Sequence, residues 1–404
     1  MPCGSIIGVV GGGPAGMMAA IAAARRGAAV RLWEKNGSLG RKLLATGNGR
    51  CNFTNRDLDL AHFHGDRALA APALAAFGGQ QTLRFFLELG IEPSCDERGR
   101  YFPASQEAGA VLFALEREME RLGVEVGSRC EVVAVRRGRG GFAVDQRGAS
   151  HRCAALVLAC GGAAAPQHGA NGGGFELARQ LGHRVTAIAP ALVPVEFAGN
   201  WHHKLQGVRL DMTLTCSASG AAITDEGLFT HYGLSGPLAL RASRSLASGS
   251  KAALSFMPGA PRDEVRSKLS ERQRLLAARQ ARDLLTGWLP AKVGAMLVRE
   301  SGIDPDIAAA ELTAQQIEAL ITNCTAFPVT IKALRGLKEA QVTAGGVAGD
   351  GIDPTTMGST LAPGLFFCGE VVDVDGDSGG YNLQWCWSSG SVAGSSAAGW
   401  LDGR

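Results

Sequence analysis

The six residues Gly11-Gly12-Gly13-Pro14-Ala15-Gly16 constrain this chain more than any other feature. They stand between a short apolar run, Ser5–Val10, and an Ala-rich stretch, Pro14–Gly27, that a glycine ends. A strand, then G-x-G-x-x-G, then a helix is the opening of a dinucleotide-binding βαβ unit. Gly11 allows the tight turn, Gly13 lets backbone amides approach a pyrophosphate, and Gly16 permits close helix packing. The helix N-terminus at Pro14 and Ala15 adds partial positive charge. Ala29–Trp33 reads as the second strand, and Glu34 ends it 23 positions after Gly11, near the spacing of a carboxylate that holds ribose hydroxyls. Strand, turn, helix, strand and acid in that order predict a bound dinucleotide. The alternative is a glycine-rich turn without a ligand.

A chain of 404 residues with 46% hydrophobic and 19% charged content has material for two or three cores, which excludes a disordered protein. Its 56 glycines cluster locally without a period, which excludes a collagen-like chain. The ten cysteines are scattered with no C-x-x-C spacing, so they are expected as reduced thiols of a cytoplasmic protein, and no metal site is expected. The apolar stretch from Ser5 to Ala24 has no basic segment before it and is cut by glycines and a proline, unlike a signal peptide. No later run reaches the ~20 apolar residues of a membrane span.

Periodicity predicts helices over Gln80–Gly90 and Ser105–Gly123 and strands over Cys130–Val135, Gly141–Asp145 and Arg152–Ala159. From about Pro190 to Met257 the period shifts toward two, with strands at Val208–Cys216 and Lys251–Met257. Arg262–Ile321 is helical again, and Thr313-x-x-Gln316 has capping-box spacing. Phe327–Ile331, Ala340–Thr343 and Leu365–Cys368 read as strands, and Ser388–Leu401 as a closing small-residue helix. Residues 1–190 and 340–404 are expected to form the dinucleotide-binding domain, 191–261 and 325–339 an inserted β-rich domain, and 262–324 a helical insertion.

The segment from Gly40 to Asn55 packs Arg41, Lys42, Asn48, Arg50, Cys51 and Asn52 directly after the acid-bearing strand. Its cations suit a pyrophosphate, or the flavin edge where negative charge develops on reduction; the alternative is a solvated polar loop. Lys35, beside Glu34, and Val133 are counted in the same cofactor-binding set. Near the C-terminus Gly369 and Glu370 end an apolar strand, followed by Asp373 and by Gly380-Tyr381-Asn382-Leu383-Gln384. Ligands of open α/β sheets sit beyond the carboxyl ends of strands, which places these residues toward a ribityl chain and a flavin's pyrimidine edge. Gly161 ends a further strand in the same manner, or marks the chain's exit from the domain.

These residues resemble the BaiN/RdsA-like NAD(P)/FAD-dependent oxidoreductases, also called aminoacetone-oxidase-like flavoproteins. The resemblance rests on GGGPAGMMAA, GRKLLATGNGRCNFTN, LFTHYGLSGP (228–237), VTAGGV (342–347) and PGLFFCGEVVDVDGDSGGYNLQWCWSSG (363–390), which span the chain. It implies an α/β architecture: a Rossmann-like, glutathione-reductase-like FAD-binding domain, an inserted β-barrel-like domain and a small helical domain. The family's activities are reduction of conjugated C=C bonds in steroid-like substrates, reduction of a uridine in ribosomal RNA and, in one branch, oxidation of aminoacetone. The segment Trp201-His202-His203-Lys204-Leu205 departs from the commoner pattern, so the substrate does not transfer.

The expected function is therefore an FAD-dependent oxidoreductase, with flavin reduced by NAD(P)H and hydride passed to a polarised C=C bond in an RNA uridine or a small enone. A flavin-dependent oxidase of a small amino-ketone is one alternative, and a non-catalytic RNA-binding flavoprotein another. No second glycine fingerprint follows a later strand, so NAD(P)H would dock transiently. His231 is a candidate proton donor, its alternative being a residue that orders the turn before a helix capped by Ser235; Cys51 is another, its alternative a small buried thiol. Net charge is only +3, yet Arg262–Arg299 carries nine Lys/Arg against four Asp/Glu, a balance of +5. This is either a solvated helical face or a contact for structured RNA, and no membrane partner is expected. Oligomeric state is not read from these features.

Overall fold

The computed structural model describes residues 6–403. They fall in two compact units, one running to Pro190 and resuming at Ala340, the other Ala191–Glu339. The first opens with β1 (Ile6–Val10), α1 (Pro14–Arg25) and β2 (Ala29–Glu34). Ser5, placed in the first strand by sequence, lies outside the described residues. Helix α2 (Arg41–Ala45) and strand β3 (Phe63–Gly65) follow, then β4 (Glu125–Ser128). A three-stranded antiparallel meander is built from β5 (Val132–Gly138), β6 (Gly141–Gln146) and β7 (Ala149–Cys153). Strand β8 (Ala155–Leu158) comes next, wholly buried. Arg152–Ala159, expected as one strand, is two: the chain breaks at Ala154, where exposed meander residues give way to four apolar ones in the core. A continuous apolar tail hid that change of sheet.

The second unit holds a closed antiparallel barrel of six strands: β9 (Val195–Phe197), β10 (Arg209–Cys216), β11 (Ala222–Phe229), β12 (Gly233–Ser235), β13 (Lys251–Ser255) and β14 (Phe327–Leu334), in the order β9-β12-β11-β10-β13-β14. Helix α3 (Gly236–Ala242) follows β12. Ser235 occupies its N-cap position but its hydroxyl makes no capping bond, correcting the expected cap. Pro237, the second helical residue, removes one of the two amides an N-cap hydroxyl can take, and the Ser235 hydroxyl does not take the other. Between β13 and β14 lie α4 (Arg262–Leu275), α5 (Ala291–Glu300) and α6 (Ala314–Ala326), the last opening on the Thr313/Gln316 capping box. Val265, Leu269, Leu297, Leu320 and Ile321 of these helices share one core with barrel residues Leu214, Phe327 and Ile331.

Back in the first unit, β15 (Ile352–Asp353), β16 (Gly358–Ser359) and β17 (Leu365–Phe367) complete a seven-stranded sheet in the order β15-β16-β17-β8-β1-β2-β4. From β17 to β4 it is parallel. Such strands are covered on both faces and read as unbroken apolar runs, as β1 and β8 do. Strand β18 (Val374–Gly376) pairs with β3, and the chain closes with α7 (Tyr381–Asp402). This helix begins seven residues before the expected Ser388, because Tyr381-Asn382-Leu383-Gln384, read as loop after the two glycines, forms its first turn. Helix α1 buries ten of its twelve residues and packs on α7 almost backbone to backbone. A Cβ on Gly394 would run into the Ala19 carbonyl, and one on Gly390 would lie 2.6 Å from that of Ala15.

Candidate functional site

The turn after β1 has the shape a dinucleotide needs. Gly11 has φ +110°, and a Cβ there would strike the Ala159 carbonyl at the end of β8. A Cβ on Gly13, in contrast, would meet nothing within 4 Å. Gly13 is also the N-cap of α1, and no side chain caps that helix. An open approach to uncapped helical N–H groups is an anion site. Glu34, 8% exposed at the end of β2, accepts from the Gly12 amide at 2.7 Å through Oε2. Its Oε1 accepts from the amide and Nδ2 of Asn36 at 2.7 and 2.6 Å. The carboxylate is thereby held against the glycine turn, where ribose hydroxyls would compete for or extend its hydrogen bonds.

A second cluster draws four distant segments together. Lys42 Nζ lies 2.6 Å from Glu370 Oε2, and Glu370 Oε1 accepts from the Thr343 amide and hydroxyl at 2.9 and 2.8 Å. The Thr343 hydroxyl oxygen in turn accepts from the amides of Ala163 and Ala164 at 2.8 and 2.9 Å. Neighbouring Gly161 has φ +71° with open space where a Cβ would stand. Thr343 was not picked out from the sequence. Its motif, VTAGGV, was the signal, but no local pattern says that its hydroxyl seats the turn after β8. The other basic side chains are also anchored: Lys35 to Asn171 at 2.8 Å, and Arg41 to Asn36 and the Gln167 carbonyl at 3.0 and 3.1 Å. The Arg50 guanidinium sits 4.6 Å from the centre of the Phe102 ring.

The loop between α2 and β3 is conformationally strained. Asn48 and Cys51 have φ of 57° and 62°, left-handed values that non-glycine residues adopt at a cost of roughly 1–3 kcal/mol. Within it, Asn52 Oδ1 is buried and meets no hydrogen-bond partner. An orphaned buried acceptor beside a glycine-rich loop fits a ligand donor, such as a flavin N–H. Cys51 is fully buried, which pushes its thiol up to about 12. A thiol that keeps its proton so firmly is a poor acid near neutral pH, and Cys51 fits the buried-thiol reading.

The C-terminal residues divide between cradle and scaffold. Gly369, with φ +75°, lies where a Cβ would come within 2.6 Å of that of Ala15, so the end of β17 meets the first turn of α1. Gly380, φ +105°, is the N-cap of α7, again with no side-chain cap. Asp373 joins the fold through its backbone, taking the Asp66 amide at 2.7 Å. Tyr381 and Leu383 are buried. The Gln384 side chain is turned into the fold: Oε1 accepts from Thr54 and Thr82, and Nε2 donates to the Phe77 carbonyl and Ser388. Its full hydrogen-bonding capacity is spent inside the fold. Asn382 is likewise tied, to Gly376 and Asp377. Val133 is exposed at an irregularity of the β5–β6 pairing. His231 lies in the second unit, exposed between β11 and β12, its ring 4.9 Å from that of Tyr232.

Among the described residues no cluster of three or more His, Cys, Asp or Glu is arranged to hold a metal, and no helix is long and apolar enough to cross a membrane. A family model described as the HI0933-like protein Rossmann domain matches residues 5–396. The chain is 37% identical to a 3-dehydro-bile acid delta(4,6)-reductase of Clostridium scindens, covering 97% of this chain and 98% of that one. It is 32% identical to the ribosomal RNA dihydrouridine synthase of Escherichia coli, over 94% and 95% of the two chains. Among solved structures, it shares the fold of 3-ketosteroid delta1-dehydrogenase from Sterolibacterium denitrificans at TM-score 0.53 and 12% identity, covering 98% of this chain and 100% of that one.

Proposed function

This chain belongs to the HI0933-like Rossmann family, and from that premise we propose that it is an FAD-dependent oxidoreductase that reduces a polarised C=C bond in a small enone with electrons from NAD(P)H. The observation that carries the reading is the anion cradle of the first unit: open space at Gly13 before an uncapped α1, with Glu34 held beside it. In this reading Gly13 and the α1 N-terminus bind the pyrophosphate and Glu34 takes the ribose hydroxyls. Lys42, paired with Glu370, lies along the ribityl chain. Asn52 and the uncapped α7 N-terminus receive the pyrimidine edge. FAD, when bound, supplies the two-electron chemistry. The protein's own task is to bind, orient and exclude water.

The choice of a small enone over RNA rests on the helices. Nine basic residues of 262–324 are matched by nine acidic ones, so the +5 seen over 262–299 vanishes once the whole segment is counted. Arg262 and Arg266 pair with Glu318, Lys268 with Glu264, and Arg282 with Asp306. Arg272 donates to the Leu284 and Thr286 carbonyls at 2.5 and 2.7 Å. Such charges serve the fold before a phosphate. The RNA reading keeps the support of two relatives named as ribosomal RNA dihydrouridine synthases.

Purified protein should release FAD on denaturation. Reduced anaerobically with NADPH, its flavin should be reoxidised by 4-androstene-3,17-dione faster than by ribosomal RNA or by air. Recovery of FMN alone, or of no flavin after reconstitution, would sink the cofactor assignment. Preferential reoxidation by RNA or by oxygen would transfer the substrate to those readings. Glu34→Ala should weaken FAD binding by about 1–3 kcal/mol, the value of charge-assisted hydrogen bonds to ribose, while Glu34→Gln should lose less. Equal FAD titration curves for Glu34→Ala and wild type would remove Glu34 from the site.

A further inference from the structure

Beside the N-terminus of α7 two histidines share one carboxylate. His62 Nδ1 lies 3.0 Å from Asp377 Oδ2, and His64 Nε2 lies 2.8 Å from Asp377 Oδ1. The far nitrogen of His62, Nε2, is 3.3 Å from Asp57 Oδ2. The His62 ring also stacks on Tyr381, the first residue of α7, with centroids 4.5 Å apart. Asn382 ties the same segment to the helix by donating to the Gly376 and Asp377 carbonyls at 2.8 and 3.2 Å. The β3–β18 pairing sets His64 opposite buried Asp375.

The charged groups facing this chain are few. Asp57 and Asp59 belong to the preceding loop, Asp375 to β18, and Asp377 and Tyr381 to the entry into α7. From the neighbouring helix Arg67–Ala76 come Asp66, which accepts the Leu69 amide, and Arg67, whose Nε donates to the Phe63 carbonyl at 2.7 Å. Burial opposes charge on Asp377, yet the two imidazoles hold its carboxyl below the usual range. Both imidazole side chains are partly open to water, at 30% and 26% exposure. The backbone of β3 and β18 pairs independently of these side chains.

We propose that His62 and His64, linked through Asp377, hold and deliver the proton that completes C=C reduction. The inference rests on the flavin-dependent reduction argued above, in which the α7 N-terminus borders the reacting ring. Reduction adds two electrons and two protons, delivered as one hydride and one proton. One carbon takes hydride from the reduced flavin, which is thereby oxidised and is later re-reduced by NAD(P)H. The other carbon takes a proton from an imidazolium N–H, and the neutral imidazole regains one from water. Histidine is the side chain that exchanges a proton near neutral pH, and Asp377 keeps the two rings in register.

The test uses the holoenzyme, with His62→Gln, His64→Gln, the double variant and Asp377→Asn. Flavin content and the rate of reduction by NADPH should match wild type. Reoxidation by 4-androstene-3,17-dione should slow about 10²–10⁴-fold in the double variant, and the wild-type decline of that rate with rising pH should disappear. In NMR of histidine-labelled holoenzyme, Asp377→Asn should displace the ring N–H resonances of both imidazoles, which share that carboxylate. Wild-type reoxidation and pH profile in the double variant would overturn the proposal, as would equal slowing of both half-reactions, which marks a structural role. Failure of the parent reading looks different: wild type itself would carry no FAD or would not be reoxidised by the enone.

Discussion

Gly16→Ala is expected to strip the protein of FAD and to unfold its first unit at a clearly lower denaturant concentration. The added Cβ would run into the Gly11 carbonyl oxygen and come within 3.2 Å of the Ala159 Cβ. Both obstacles belong to the rigid turn after β1 and the end of β8, where no flexible side-chain tip can yield. Relief requires α1 to move away from the sheet, and α1 is itself pinned by its backbone approach to α7 at Gly390 and Gly394. Overpacking of that kind costs about 1–3 kcal/mol or more, a large share of a domain's marginal stability. Displacement of the α1 N-terminus also removes the anion cradle. Gly13→Ala separates the two effects, because its Cβ enters open space. That variant should keep wild-type stability as apoprotein and bind FAD more weakly. A Gly16→Ala protein with the wild-type denaturation midpoint and FAD content would refute this account of the turn.

Above pH 9 the stability of the first unit should fall steeply. Burial pushes the thiols of Cys51, Cys153, Cys160 and Cys386 from 9.0 up to about 12, and that of Cys368 well above 9.0. Below pH 9 the folded and unfolded chains both keep these protons, so no stability depends on pH through them. Between 9 and 12 the unfolded chain releases protons that the folded chain retains, and each pH unit favours unfolding by roughly 1 kcal/mol per thiol. Several thiols acting together imply a loss of several kcal/mol by pH 10. The second unit carries one such thiol, Cys324, and should be less affected. Urea denaturation at pH 8, 9 and 10 measures the effect, and replacing Cys160 and Cys386 with alanine should flatten it. A midpoint at pH 10 equal to that at pH 8 would show that the thiols are not protected in this way.

The parts of the molecule that the sequence determined by itself are those whose interactions close over short separations. The glycine turn, α1, β2 and Glu34 form one contiguous βαβ unit, and Glu34 reaches Gly12 across 22 positions. The Thr313/Gln316 box closes within one turn, so pattern and geometry coincide there. Other elements carry no local signal. Strand β11 turns Asp225 and Gly227 inward, where a pattern of apolar alternation would require hydrophobes, and Asp225 is held there by the Glu226 amide at 2.8 Å and by Arg241 at 3.0 Å. The first turn of α7 looks like loop until β18, Thr54 and the preceding glycines are packed around it.

Tertiary structure alone decided which polar groups meet. Lys42 finds Glu370 across 328 positions, Thr343 seats the Ala163 amide across 180, and His64 reaches Asp377 across 313. It also decided the fate of the basic helix, because Arg262 is met by Glu318 on a helix 56 positions away, beyond the window in which the charge was counted. Periodicity and capping report the forces a chain exerts on its own neighbours. A hydrogen bond between remote residues exists only after parallel strands and crossing helices have brought their ends together, and no residue in either segment records its partner's position.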